Sequence, residues 1–66
     1  MNANKLKGKL KEKEATYRQC ADYIGISLTS FNNKMNGKSS FKLIEAEKLA
    51  MFLSMSVDEK ASIFLD

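Results

Sequence analysis

The 66-residue sequence has no histidine, no proline and no tryptophan, and it has one cysteine. Without histidine, neither a cysteine–histidine catalytic pair nor a histidine-containing zinc site can form. With Cys20 alone an internal disulfide is impossible, so we expect residence inside a cell. We interpret Cys20 as a small hydrophobic core residue and not as a nucleophile or metal ligand.

The sequence also lacks the patterns typical of membrane proteins and enzymes. No hydrophobic run approaches the roughly 18 residues needed to cross a membrane, and no apolar signal-peptide core follows the lysine-rich N-terminus. There is no glycine-rich phosphate loop, and Glu45 and Glu47 fall on different helix faces, which argues against paired acid–base chemistry. We therefore expect no enzymatic activity, no cofactor, no metal and no membrane partner.

Charge is distributed unevenly along the chain. Residues 1–42 hold nine lysine or arginine residues and three acidic residues, whereas residues 43–66 hold two lysines and five acidic residues. The net charges of the two parts are therefore +6 and −3, which agree with the overall +3. A basic half beside an acidic half suits a domain that offers one face to a polyanion, although lysines that merely solvate a helix would give the same count.

Hydrophobic periodicity predicts an all-α fold, a compact bundle of five short helices in a single domain over residues 1–66. The helices are expected at residues 3–14, 17–24, 28–35 and 42–53, and after a cap at Ser56. Each has an apolar stripe at three- and four-residue spacing, and this stripe is expected to be buried. The stripes are Leu6 and Leu10; Cys20, Ala21 and Ile24; Phe31 and Met35; Leu43, Ala46, Leu49, Ala50 and Leu53; and Val57, Ala61 and Phe64.

Residues 16–38 carry the most informative pattern. Thr16 and Gln19 have the spacing of a capping box, and Gly25 supplies the positive φ of a sharp helix end. Ser27 can then cap the following helix. Two short helices joined by a tight turn that contains glycine predict a helix-turn-helix unit.

Together these motifs resemble a known family. From about Leu6 to Glu59 the chain is similar to the lambda-repressor-like, or Cro/cI-type, helix-turn-helix family of phage and bacterial regulators. The stretch SFNNKMNGKSSF is especially similar to small repressors of Gram-positive phages. The resemblance implies a DNA-binding domain that acts as a dimer on palindromic operators, with the third helix in the major groove. The matching residues are Thr16, Ala21, Gly25-Ile26-Ser27, Phe31, Asn36-Gly37-Lys38, Leu49-Ala50 and Ser56-Val57-Asp58-Glu59.

Two positions depart from the family pattern. Many members have glutamine at the start of the second helix, where it clamps the DNA backbone, and this sequence has Tyr17. Many members also have glutamate before Asn-Gly, paired with an arginine in the first helix, and here Met35 and Leu10 stand at these places. An apolar pair in place of a buried ion pair is often neutral or better for stability.

Helix geometry indicates which residues of the third helix face outward. If Phe31 points inward, Thr29 and Asn33 point away from the core at about 100° per residue, and Asn32 sits to one side. Asparagine can make a bidentate contact to adenine, and Leu28 or the Thr29 methyl can pack on a thymine methyl. We therefore predict that Leu28, Thr29, Asn32 and Asn33 read a half-site rich in A·T pairs. The alternative is that both asparagines are merely solvated helix residues.

A second group of residues is expected at the DNA phosphates, because the first-turn N–H groups of helices attract anions. Such contacts position the protein and do not specify sequence. Arg18 has the alternative of a surface pair with Asp22, and Lys34 has the alternative of lying along Phe31. The predicted phosphate contacts are Tyr17, Arg18, Ser27, Ser30, Lys34, Asn36 and Lys38.

The C-terminal residues Ile63, Phe64 and Leu65 cannot all face inward on one helix turn. Either the chain leaves the helix there, or another subunit covers some of these side chains. We favour the second interpretation, a homodimer through the fifth helix and this tail.

These observations favour a transcriptional repressor of Cro type, in the cytoplasm of a bacterial host and at its nucleoid, that binds an inverted repeat in double-stranded DNA. Sixty-six residues leave no room for a separate oligomerisation or self-cleavage domain, which favours the Cro-like arrangement. The alternative is that the chain is the N-terminal DNA-binding domain of a longer cI-type repressor. The rival from another class is an antirepressor that binds a repressor protein, which Tyr17 and Leu28 would suit.

Overall fold

The computed structural model describes residues 1–65, and Asp66 lies outside the described residues. The described chain forms five α-helices and contains no strand, so the predicted all-α fold of five helices is confirmed. The helices are α1 Ala3–Glu12, α2 Tyr17–Ile24, α3 Leu28–Met35, α4 Leu43–Phe52 and α5 Val57–Phe64. Within residues 1–65 none of them combines the length and the hydrophobicity that a membrane span requires.

Reciprocal side-chain caps begin α2 and α5. The Thr16 hydroxyl accepts a hydrogen bond from the Gln19 N–H, and the Gln19 side chain accepts one from the Thr16 N–H, as predicted. Ser56 and Glu59 form the same pair at the start of α5, which was also predicted. Because the first N–H groups of a helix have no partner within it, these caps fix where α2 and α5 begin.

Four helix ends use a residue in the left-handed conformation. Gly25 (φ 85°) and Gly37 (φ 80°) follow α2 and α3, whereas Glu14 (φ 53°) and Ser54 (φ 52°) follow α1 and α4. In each case the next residue donates its N–H to the carbonyl five positions earlier, over 2.9 to 3.0 Å. A left-handed non-glycine residue costs on the order of 1 kcal/mol, so the turns after α1 and α4 form against local strain.

The core is one cluster to which all five helices contribute. Every residue of the predicted stripes of α1, α2 and α3 is buried, and Ala46, Leu49, Ala50 and Leu53 are buried as well. Leu10 and Met35 both belong to this cluster. Cys20 is fully enclosed, and burial raises the pKa of its thiol to about 11.

The predicted stripe of α4 is wrong at Leu43, which is 80% exposed. Leu43 begins α4, and the preceding Phe41 closes this end of the core in its place. The Phe41 ring packs edge-on against Phe31, with 5.6 Å between the ring centroids, and against Phe64 at 6.0 Å. Leu43 is therefore left outside.

The predicted stripe of α5 is also wrong in part. Val57 is 78% exposed, Ala61 and Phe64 are half-buried, and the buried residue of α5 is Ile63, at 3% exposure. The side of α5 that carries Ile63 packs on the start of α1, where the Asn2 N–H donates to the Ile63 carbonyl over 2.7 Å. This orientation depends on α1, which periodicity within α5 cannot reveal.

Candidate nucleic-acid interface

The connection between α2 and α3 determines which face of α3 points outward. It consists of residues 25–27, in which Ile26 is half-buried and packs against the core. Phe31 and Met35 occupy the inner side of α3 and are fully buried. The opposite side of α3 is left to short polar side chains.

The four predicted base-reading residues lie on or beside this outer side. Thr29 is exposed, and Leu28, Asn32 and Asn33 are half-buried. Within residues 1–65 the side-chain amides of Asn32 and Asn33 form no hydrogen bond, so their donors and acceptors have no partner among these residues. Base contact itself stays a prediction for all four residues.

The two predicted serine contacts cap α3. The Ser27 hydroxyl oxygen accepts a hydrogen bond from the Ser30 N–H over 3.0 Å, and the Ser27 hydroxyl donates to the Ser30 hydroxyl over 3.0 Å. Ser27 is exposed and Ser30 is half-buried. The pair therefore fixes the start of α3 at the surface, where the first-turn N–H groups favour an anion.

At the start of α2, Tyr17 and Arg18 lie in different environments. The Tyr17 ring is half-buried and packs edge-on against Phe31, with 5.3 Å between centroids, so Tyr17 ties the start of α2 to α3. Arg18 is exposed and forms no ion pair within residues 1–65, which means that the alternative pair with Asp22 is absent there. Its guanidinium is free to meet an anion.

The turn after α3 holds two further predicted phosphate contacts, Asn36 and Lys38. Both are exposed. The Lys38 N–H donates to the Asn33 carbonyl over 2.9 Å, which folds the turn back against the end of α3. Among the described residues Lys38 has no ion-pair partner, so its ammonium is available at the edge of the outer face of α3.

Lys34 is the exception among the predicted phosphate contacts. Its side chain is buried, and its ammonium donates to Oε1 of Glu45 on α4. The ammonium also lies 5.9 Å from the centre of the Phe41 ring. This internal pairing with Glu45 disfavours the phosphate contact predicted for Lys34, because the charge of Lys34 already has a partner inside the protein.

Glu45 is an acidic residue whose role the sequence interpretation missed. Burial tends to raise the pKa of its carboxyl, but the Lys34 ammonium and the backbone N–H of Lys42 outweigh burial and lower that pKa. Oε1 accepts the Lys42 N–H over 2.8 Å, so Glu45 caps α4 and holds Lys34 at once. The spacing of Lys42 and Glu45 matches a capping box, but lysine is not a usual first member of one.

A second ion pair joins α1 to α5. Lys9 of α1 is 7% exposed, and its ammonium lies 2.7 Å from Oε2 of Glu59 and 3.2 Å from Oε2 of Glu12. Chiefly through this hydrogen bond, the pKa of Glu59 falls to about 2 and the pKa of Lys9 rises. The two buried lysines, Lys9 and Lys34, are called the inward lysines. Each connects the basic half of the chain to its acidic half.

The predicted dimer surface at the tail is only partly exposed. Ile63 is a core residue at 3% exposure, and Phe64 is half-buried against Phe41. Leu65 is 84% exposed. With Leu43 and Phe64 it lines a groove of about 770 Å³ between the turn after α3 and the end of α5.

No family model, curated protein or solved structure matches this chain. The likeness to Cro/cI-type regulators therefore depends on the residues of the sequence named above.

Proposed function

We propose that this protein is a sequence-specific DNA-binding transcriptional repressor of Cro type. In this proposal α2 and α3 act as a helix-turn-helix unit, and α3 enters the major groove of an inverted repeat as part of a homodimer. Leu28, Thr29, Asn32 and Asn33 read base edges. The phosphate contacts come from Tyr17, Arg18, Ser27, Ser30, Asn36 and Lys38, without Lys34.

One observation carries the proposal. The outer side of α3 offers two side-chain amides that have no partner within residues 1–65. Two cations that form no ion pair within the same residues, Arg18 and Lys38, stand at the start of α2 and after α3. At specific protein–DNA interfaces, side-chain amides contact base edges and flanking cations contact phosphates.

Selection of bound DNA from a random duplex pool tests this proposal. We expect a recurring site with two-fold symmetry and half-sites rich in A·T pairs, because asparagine pairs best with adenine. Affinity should fall steeply with added salt, since cations displace counterions from phosphates. Failure to enrich any sequence at low salt would reject the proposal.

The variant Asn33→Ala tests the reading face directly. It should weaken binding to the selected site by about 1–3 kcal/mol and relax preference at one base pair, with an unchanged melting temperature. Lys11→Ala, an exposed residue of α1, is the control and should leave base preference unchanged. If Asn33→Ala keeps both affinity and preference, the assignment of Asn33 is wrong.

The groove beside Leu43 and Leu65 favours a second candidate function, an antirepressor that binds a repressor protein. Such a protein would bind DNA weakly and require a protein partner. A salt-dependent mobility shift with operator DNA alone would exclude it.

A further inference from the structure

The outer side of α4 carries apolar side chains that nothing in residues 1–65 covers. Ile44 is 60% exposed and Met51 is 72% exposed. They are seven positions apart and therefore lie on the same side, two turns apart. Val57, at the start of α5, borders with Met51 a surface depression of about 160 Å³. Exposed apolar patches of this kind are typical of association surfaces.

Two charges of opposite sign lie between these apolar residues. Glu47 and Lys48 are both exposed. Oε1 of Glu47 accepts a hydrogen bond from Lys60 over 3.2 Å, which leaves its second carboxylate oxygen for another donor. Lys48 forms no ion pair within residues 1–65. Along α4 the outer side therefore reads apolar, acidic, basic, apolar.

This order is complementary to itself. If two copies of α4 pack antiparallel about a two-fold axis between residues 47 and 48, Ile44 of one copy faces Met51 of the other. Glu47 then faces Lys48 of the second copy. Two-fold symmetry repeats each contact, so the interface gains two apolar contacts and two ion pairs and leaves no like charges opposed.

We propose that the outer side of α4 is a homodimer interface, in which Ile44 of each copy enters the depression beside Met51 and Val57 of the other. The inference rests on the proposed function, because a palindromic operator requires two copies related by a two-fold axis. It moves the expected interface from the tail to α4. The ten residues of α4 span only about 15 Å, so the interface is small and self-association should be weak.

Sedimentation equilibrium of the full chain without DNA tests the interface, at concentrations from about 10 µM to about 1 mM. The wild-type protein should pass from monomer to dimer over this range, and Ile44→Ser should raise the dissociation constant at least tenfold. Leu65→Ser is the matched control, because it removes an apolar side chain from the tail that is even more exposed than Ile44 and should leave association unchanged. A wild-type monomer at every concentration would overturn the inference, as would loss of association only in Leu65→Ser.

A charge exchange gives the sharper test. Glu47→Lys and Lys48→Glu should each weaken association, because each opposes like charges at both contacts. An equimolar mixture of these two variants should associate again, and so should the double variant, since both restore opposite charges. Asp22→Lys, an exposed charge reversal on α2, is the control and should associate like the wild type. A mixture as monomeric as its separate components would overturn the inference.

These measurements contain no DNA, so the two proposals can fail separately. Self-association through α4 without DNA binding would reject the repressor and keep the interface. Selection of a site without two-fold symmetry, by a protein that stays monomeric, would keep DNA binding and reject the interface.

Discussion

The outer sides of α3 and α4 are built from opposite kinds of side chain. On α3 they are Thr29, Asn32 and Asn33, whose side chains form no hydrogen bond within residues 1–65, and on α4 they include Ile44 and Met51. Open amides favour a ligand with hydrogen-bonding edges, whereas exposed apolar carbon favours coverage by protein. One small domain therefore offers two surfaces with separate chemistries.

The two surfaces share their supports. Phe31 lies beneath α3 and contacts Phe41, next to the start of α4. Lys34 and Glu45 link α3 to α4, and Lys9 and Glu59 link α1 to α5. Removal of a support should damage both surfaces, and substitution on one surface should spare the other.

The largest effect is expected from Phe31→Ala. Phe31 is fully buried between the rings of Tyr17 and Phe41, and the cavity should cost about 3–5 kcal/mol. A domain of this size has about 3–5 kcal/mol of net stability, so both surfaces should be lost together. Circular dichroism should show no cooperative thermal transition. Phe31→Leu is the control, and a cooperative transition in Phe31→Ala near that of the wild type would contradict this account.

The next largest effect should follow Glu45→Gln. Glutamine keeps an acceptor for the Lys42 N–H but leaves the Lys34 ammonium without a countercharge, at a cost of about 2 kcal/mol. Chemical denaturation measures this loss. Lys34→Met removes the stranded charge, so in the Glu45→Gln background it should cost less than it does alone. Additive costs in this double-mutant cycle would mean that the two residues do not interact.

A smaller effect is expected on the salt dependence of DNA binding, where substitution of the exposed Lys38 and of the buried Lys34 should give different results. Lys38→Gln should reduce the salt slope of operator binding by about 0.9, the value for one lost phosphate contact. Lys34→Met should leave the slope unchanged, because that ammonium is bound to Glu45. Binding titrations at several salt concentrations measure both slopes. A reduced slope for Lys34→Met would show that Lys34 does reach DNA.

The smallest effect concerns the link between α1 and α5. The pKa of Glu59 is lowered from 4.5 to about 2, chiefly by Lys9. Since the unfolded chain takes up this proton at higher pH than the folded one, the stability due to Glu59 is complete above about pH 4.5 and is lost as the pH falls to about 2. Glu59→Gln keeps a cap for α5 but should flatten the dependence of melting temperature on pH in this window. Asp58→Asn, at an exposed neighbouring position, should keep the wild-type slope.

The sequence predicts the helices well because their signals are local. Thr16 and Ser56 each begin a helix with a partner three residues away, and the burial of Leu6 and Leu10 follows from their spacing. The inward lysines are different. Lys34 and Lys9 are buried because of carboxylates 11 and 50 positions away, and no local pattern reports such partners.

In the candidate interface, too, features set within one helix are predicted from the sequence, and features set by another part of the chain are not. The outward direction of Thr29 follows from the position of Phe31 on the same helix, so helix geometry predicts it. The loss of Lys34 from the phosphate contacts depends on Glu45 in another helix. The exposure of Leu43 likewise depends on Phe41, which precedes α4 and packs on the core, so the hydrophobic period within α4 does not reveal it.

Because the thiol of Cys20 is enclosed in the core, its reactivity reports local opening of the structure. A pKa of about 11 keeps the thiol protonated near neutral pH, and the core shields it from reagents. Alkylation can therefore proceed only when α2 separates from its neighbours. Because Cys20 is the one cysteine of the sequence, the rate of its alkylation measures how often the structure opens, and no probe has to be introduced. Slower labelling on addition of DNA would measure how firmly a bound ligand holds α2 closed.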